Sequence, residues 1–287
     1  MFGILDAIEN WVRGLLTGAI TSSLTSMFGD VNDKVGTIAA QAGQTPQSWD
    51  INIFNMIRAI SETVVLPIAG LIITYILCAE LIGMVADKNS MHEIDTFMFF
   101  RYFFKAWVAI FIVTHTFDIA MAVFDVAQHI VSGAAGVIHG NTAIDINAAI
   151  AAMNLPGYGI PELILLMLET FIVSFCLKIM GVVITVILYG RMIEIYCACS
   201  IAPIPFATMV NKEWGTMGQN YLKSLCALGL QGFFLMVCVG IYAVLVNNMI
   251  VAANVHTAIF SVAAYTVLLV FAMLKSGALA KSVLNAH

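Results

Sequence analysis

Residues 192–210 read MIEIYCACSIAPIPFATMV, and whether this stretch crosses a membrane decides the layout of everything around it. It is apolar enough to cross. However, Pro203 and Pro205 each remove a backbone donor and crowd the preceding turn, and Glu194 adds a charge. The prolines therefore predict a bent or re-entrant element rather than a straight span. Working outward, a run of about 20 apolar residues is needed to cross the hydrocarbon core. Five segments meet that length: about 62–84, 102–124, 162–190, 222–246 and 258–276.

Charge placement favours five crossings over six, because Lys and Arg collect on the cytoplasmic side. With five crossings and an external N-terminus, Lys88, Arg101, Lys105, Arg191, Lys212, Lys223, Lys275 and Lys281 all fall inside. The opposite connections, 125–161 and 247–257, contain no Lys or Arg. A sixth crossing at 192–210 would send Lys212 outside and bring the uncharged 247–257 connection inside. The expected fold is thus an all-α, polytopic integral membrane protein with about five transmembrane helices. An external N-terminal region (1–60) precedes the five-span domain (61–287), the N-terminus outside and the C-terminus inside.

Composition agrees. Of 287 residues, 61% are apolar and 10% charged, with a mean hydropathy of +0.96. Ordinary soluble domains carry about 25% charged residues, so a water-facing shell cannot be built from this chain. Net charge is −5 and no basic stretch forms a phosphate-binding patch, so direct nucleic-acid contact is not expected. The six cysteines all lie in apolar runs and act as small hydrophobes; Cys197 and Cys199 form a lone CxC without a nearby His. No metal or cofactor is expected.

At the N-terminus, Asp6, Glu9, Arg13 and Thr17 recur on one side of a helix, while Ile4, Ile8, Trp11 and Leu15 cover another. That describes an amphipathic helix lying on a membrane surface or against a partner. Gly14 and Gly18 add a GxxxG spacing that permits close helix contact, which makes Trp11, Gly14 and Gly18 candidate oligomer contacts. Residues 28–50 are the most water-compatible stretch, with a short helix predicted over about 31–42, ending near Gly43 and Pro46. Ser48 or Asp50 caps the next helix. The 125–161 connection, rich in Ala and Gly, predicts one or two short helices on the outer face.

Ionisable residues inside a span are costly and therefore informative. Glu80 and Lys178 lie about 27 Å and 24 Å below the outer ends of their spans, a depth at which they can pair. Glu169, Asp118 and His115 form a second tier about 9–14 Å down. Three uses fit these tiers: interhelical glue, the lining of a conduit in an oligomer, or a coupling-ion site. The last would suit a stand-alone ion or solute transporter or channel using Glu80, Lys178, Glu169 and Asp118. No phosphate-binding loop, zinc helix, nucleophile elbow or dinucleotide fingerprint occurs, so no enzyme is argued.

The stretch from Lys178 to Tyr242 resembles the TrbL-like family of polytopic membrane subunits in type IV secretion and conjugation. The likeness is carried by Ile187-Leu188-Tyr189-Gly190-Arg191, by Glu194-Ile195-Tyr196, and by Ile201-Ala202-Pro203-Ile204-Pro205-Phe206-Ala207-Thr208. Trp214-Gly215, Tyr221-Leu222-Lys223 and the span from Leu225 complete it. The resemblance implies a non-catalytic channel or scaffold subunit of the cytoplasmic membrane, assembled as a cyclic homo-oligomer among lipids. It also implies partners: stalk or pilus proteins outside and ATPases inside.

Overall fold

The computed structural model describes residues 2–86, 96–138, 145–211, 214–252 and 254–286, and every regular element among them is helical. In chain order these are α1 (Phe2–Ala42), α2 (Pro46–Trp49), α3 (Ile51–Ile60), α4 (Leu66–Ala86), α5 (Thr96–Thr114), α6 (Thr116–Ile138) and α7 (Ile146–Ala152). Then come α8 (Ile160–Ile201), α9 (Pro203–Thr208), α10 (Gly215–Ala252) and α11 (Val255–Val283). A π-helical turn, Ser61–Val65, links α3 to α4, and a 3-10 turn, Leu155–Gly157, precedes α8.

Six helical stretches are long and apolar enough to cross a membrane: Ile51–Ala86, Phe97–Thr114, Thr116–Ile138, Ile160–Ile201, Gly215–Met249 and Val255–Val283. Four of the five expected segments fall within single helices of this set. The segment expected at 102–124 straddles α5 and α6, which meet at the single residue His115. No loop separates them: the His115 amide donates to the Phe111 carbonyl (3.1 Å) and the Ile119 amide to the His115 carbonyl (3.0 Å). The helix outruns the expected span because Ala120, Phe124 and Ala127 form a buried stripe at helical spacing. By hydropathy alone the span ends before Asp125.

The proline-bearing stretch is also divided differently. Residues 192–201 extend α8, and the break falls at Ala202; α9 then starts on Pro203. Proline is well suited there, because the first helical position has no intrahelical partner for its N–H. Lys88 and Lys212 lie outside the described residues.

Two compact units organise the chain. One comprises 1–43, 131–188 and 233–276; the other comprises 44–130, 189–232 and 277–287. In the first, α1 is a single 41-residue helix, not a surface helix followed by a short one. It buries Ile20, Leu24, Met27, Val31, Val35, Ile38 and Ala42, a continuous stripe running through the stretch that reads as water-compatible. Its core partners include Leu163, Leu166, Val173, Leu177, Val239 and Ile259. The helix stops before Gly43, as expected.

In the second unit, α9 buries Pro203, Pro205, Phe206, Ala207 and Thr208, and Ala207 packs among Ala69, Ile73 and Leu77 of α4 and Ala109 and Val113 of α5. Asp50 caps α3, its carboxylate accepting from the amides of Asn52 (2.8 Å) and Ile53 (3.0 Å). Asp50→Ala is expected to cost about 1 kcal/mol, read as a lower thermal midpoint in detergent, because the two amides lose their acceptor.

Candidate functional site

The intramembrane charges are distributed among separate local pairs. In the second unit, Glu80 on α4 takes Lys105 of α5 as its ion-pair partner, beside a Tyr102 hydroxyl that donates to the Leu77 carbonyl at 2.7 Å. The anticipated Glu80–Lys178 pair is thus replaced by a neighbour on the adjoining helix. Arg58 of α3 donates to Glu62 (2.7 Å) and to Asp118 of α6 (3.3 Å), and its guanidinium lies 5.7 Å from the Phe117 ring centre. His115 stacks on Phe111 with ring centres 4.4 Å apart, and its Nδ1 is 3.0 Å from the Phe111 carbonyl.

In the first unit, Glu169 of α8 meets His256 Nδ1 of α11 at 2.5 Å. The Tyr158 ring stands edge-on to His256, its hydroxyl donates to Asn254 Oδ1 (3.3 Å), and Arg13 Nη1 donates to the Tyr158 carbonyl (3.3 Å). Glu169 therefore has a different partner set from Asp118 and His115. Lys178 forms none of these pairs; it lines a cavity with Asp30 and Lys34. Arg58, Lys105 and His256 escaped notice as partners in the sequence. One signal was available for Arg58: Glu62 follows it at i+4, the spacing of a helical ion pair.

The residues around the proline break hold a tight local structure. The Tyr196 hydroxyl donates to the Pro46 carbonyl (2.6 Å), and Trp49 packs edge-on to Tyr189 and tilted on Tyr196. Tyr221 of α10 donates to the Ala198 carbonyl while its ring meets Phe206 edge-on. Pro205 offers its carbonyl to the Thr208 hydroxyl at 2.7 Å. Lys281 reaches Glu194 at 3.3 Å, and the buried Arg191 donates to the Leu228 carbonyl (3.5 Å). Among the described residues there is no group of three or more His, Cys, Asp or Glu that could hold a metal.

The outward face of α1 changes character along its length. Residues 4, 8, 11, 15, 18, 22, 25, 29, 33, 36 and 40 follow one another at i+3 or i+4, opposite the buried stripe. The first four are exposed Ile4, Ile8, Trp11 and Leu15, with Trp11 68% exposed. The rest are small or polar: Gly18, Ser22, Thr25, Gly29, Asp33, Gly36 and Ala40. No atom lies within 4 Å of where a Cβ would stand on Gly14, Gly18, Gly29 or Gly36. Two contacts fix the course of α1: Arg13 bonds to Tyr158, and Lys34 lies against Gly181. From Arg13 to Lys34, α1 thus runs in the same direction as the chain from Tyr158 to Gly181.

Comparison with curated proteins and with solved structures returns no match. The family match extends well upstream of the 178–242 stretch that carries the resemblance, sharing only its first part. Residues 31–203, well over half of the chain, match the family described as TrbL/VirB6 plasmid conjugal transfer like protein, and the chain belongs to that family.

Proposed function

We propose that this chain is the structural channel or scaffold subunit of a conjugative type IV secretion apparatus, built as a cyclic homo-oligomer in the cytoplasmic membrane. The family supplies the conjugal-transfer role, and six apolar helices make the chain a multi-pass membrane protein. By lysine and arginine placement alone, five crossings with an external N-terminus and an internal C-terminus fit best; α1 lies with the spans and not outside them, since Arg13 meets Tyr158 and Lys34 meets Gly181. Secretion-system partners act with it: stalk or pilus proteins outside, ATPases inside.

The observation that carries the oligomer is the outward face of α1. It runs alongside α8, whose own outer residues Phe171, Phe175, Val182 and Val186 are apolar and exposed. Lipid suits those α8 side chains but not the Asp33 carboxylate, which hydrocarbon leaves unsolvated, and it gains little from Ser22, Gly29 and Gly36; the Thr25 hydroxyl is already bonded to the Thr21 carbonyl. A neighbouring copy or a hydrated lumen suits this face, and a ring supplies both. Small residues allow helices to approach closely, and Trp11 with Leu15 offers an apolar clasp at the end of the same stripe.

The transporter alternative required Glu80, Lys178, Glu169 and Asp118 to act together. Three of the four are already engaged in separate pairs, with Lys105, His256 and Arg58, so the structural role is preferred.

In a cysteine-free background, Thr25→Cys or Gly29→Cys is expected to form disulfide-linked dimers of the 31.0 kDa chain under mild oxidation. Mass determination in mild detergent should give a closed multimer. A single species of monomer mass, with no cross-links along this face, would sink the proposal.

A further inference from the structure

Within the first unit a cavity of about 260 Å³ lies among α1, α8, α10 and α11, lined by Asp30, Lys34, Lys178, Thr185, Tyr242 and Thr266 among others. Its hydroxyls are already committed. Thr185 donates to the Gly181 carbonyl (3.0 Å) and Thr266 to the Val262 carbonyl (2.8 Å). Tyr242, 2.9 Å from Thr266 Oγ1, then supplies the hydrogen of that contact. The free donors are two ammonium groups, facing one carboxylate. Among the described residues none of the ion pairs includes Asp30, Lys34 or Lys178. The cavity thus carries an excess positive charge beside the apolar face of a span, where an unpaired ammonium is costly.

Two further features say what kind of anion fits. Gly181 is buried, and a Cβ there would collide with the end of the Lys34 side chain; the glycine makes the room in which that ammonium sits. Lys178 shares one face of α8 with Phe171, Phe175, Val182 and Val186, at −7, −3, +4 and +8, all of them well exposed. A molecule entering between the lysines therefore meets a cationic cavity from which an apolar strip runs toward Phe175 and Phe171. Lys178 stands near the middle of α8. At 42 residues, α8 is about 63 Å long, twice the hydrocarbon thickness of about 30 Å. When its N-terminal half fills the hydrocarbon, its middle falls at the headgroup level, with Phe171 and Phe175 on the hydrocarbon side.

We propose that this cavity binds the phosphate of an acidic phospholipid between Lys34 and Lys178, with the acyl chains lying along the Phe175 and Phe171 side of α8. The site depends on the chain being embedded in a membrane and not on the channel reading, so either can fail alone.

Native mass spectrometry of the full chain in detergent, titrated with phosphatidylglycerol or phosphatidylcholine, tests it. Phosphatidylglycerol adducts should persist under activation that strips phosphatidylcholine. Lys34→Gln with Lys178→Gln should lower their retention at least tenfold, and Asp30→Asn should raise it by removing the competing carboxylate. Should the double glutamine variant fail to fold, Lys34→Arg with Lys178→Arg keeps both charges and should retain the lipid, whereas Gly181→Leu should displace Lys34 and reduce binding. Equal retention of the two lipids, or no change in the charge-neutral variant, would overturn the proposal. Displacement of the lipid by millimolar inorganic phosphate would reassign the anion to a soluble source and overturn the lipid assignment.

Discussion

Gly218→Ala should destabilise the protein by about 3 kcal/mol or more, seen as a fall of about 6–12 °C in the detergent unfolding midpoint. Gly218 lies in the first turn of α10, where that helix crosses the short proline helix α9. A Cβ at this position would overlap both Met209 Cγ and the carbonyl oxygen of Pro205, and would stand 3.2 Å from Met209 Cβ. The methionine can rotate, but the carbonyl cannot. Pro205 is held by the rigid Ala202–Thr208 segment, and Thr208 donates to the same oxygen. The backbone of α9 or the start of α10 must therefore move. Either movement disturbs the contacts of Phe206 with Tyr221 and of Tyr221 with Ala198.

Gly70→Ala is the matched control. It lies within α4 with nothing within 4 Å of its would-be Cβ, and alanine is the better helix former by up to about 1 kcal/mol. That variant should be neutral or slightly stabilised. If Gly218→Ala behaves like Gly70→Ala, the close approach of α10 to α9 is not a feature of the folded protein.

The contrast between these two glycines shows what the sequence could reveal. Gly70 stands in an apolar run (66–76) and Gly218 in a more polar one (215–224), but neither pattern says what lies against the glycine. Only the crossing of α10 over the proline helix α9 separates them. By comparison, Gly43 as a helix end and Asp50 as a cap were legible because each acts on its own neighbours in the chain. The cores of the spans were legible for the same reason.

Pairing was harder to read because depth along a span gives a level but not a direction around the helix. Glu80 and Lys178 sit at comparable depths, yet Glu80 turns to Lys105 on α5, the next helix along the chain. The α1 stripe was missed in another way. Averaging over residues 28–50 mixes Val31, Val35 and Ile38, which are buried, with Gly29, Asp33 and Gly36 on the opposite side. The mean then resembles a solvated linker, although each face taken separately describes a packed helix. At the level of family, the proline motif pointed in the right direction while marking only the end of the matched region.

Gly29→Leu combined with Gly36→Leu should leave the single chain folded and reduce conjugative transfer at least a hundredfold. Both residues lie on the outward face of α1, two helical turns apart, with open space where a side chain would project. Leucine is a better helix former than glycine, so the isolated subunit has no packing reason to lose stability, and its unfolding midpoint should hold or rise. The effect falls on whatever covers this face. If a second copy approaches closely there, two leucines hold the helices apart and forfeit the contact that small residues allow. If a hydrated lumen lies there, the same leucines narrow and dry it. Both routes stop transfer, and they separate in the mass of the complex: lost oligomers mark a subunit contact, retained oligomers a lining. Gly29→Ser with Gly36→Ser, which keeps the face small and polar, should preserve both assembly and transfer. Full transfer in the leucine variant would mean that the face meets neither partner nor water, and the ring would have to be built on another surface.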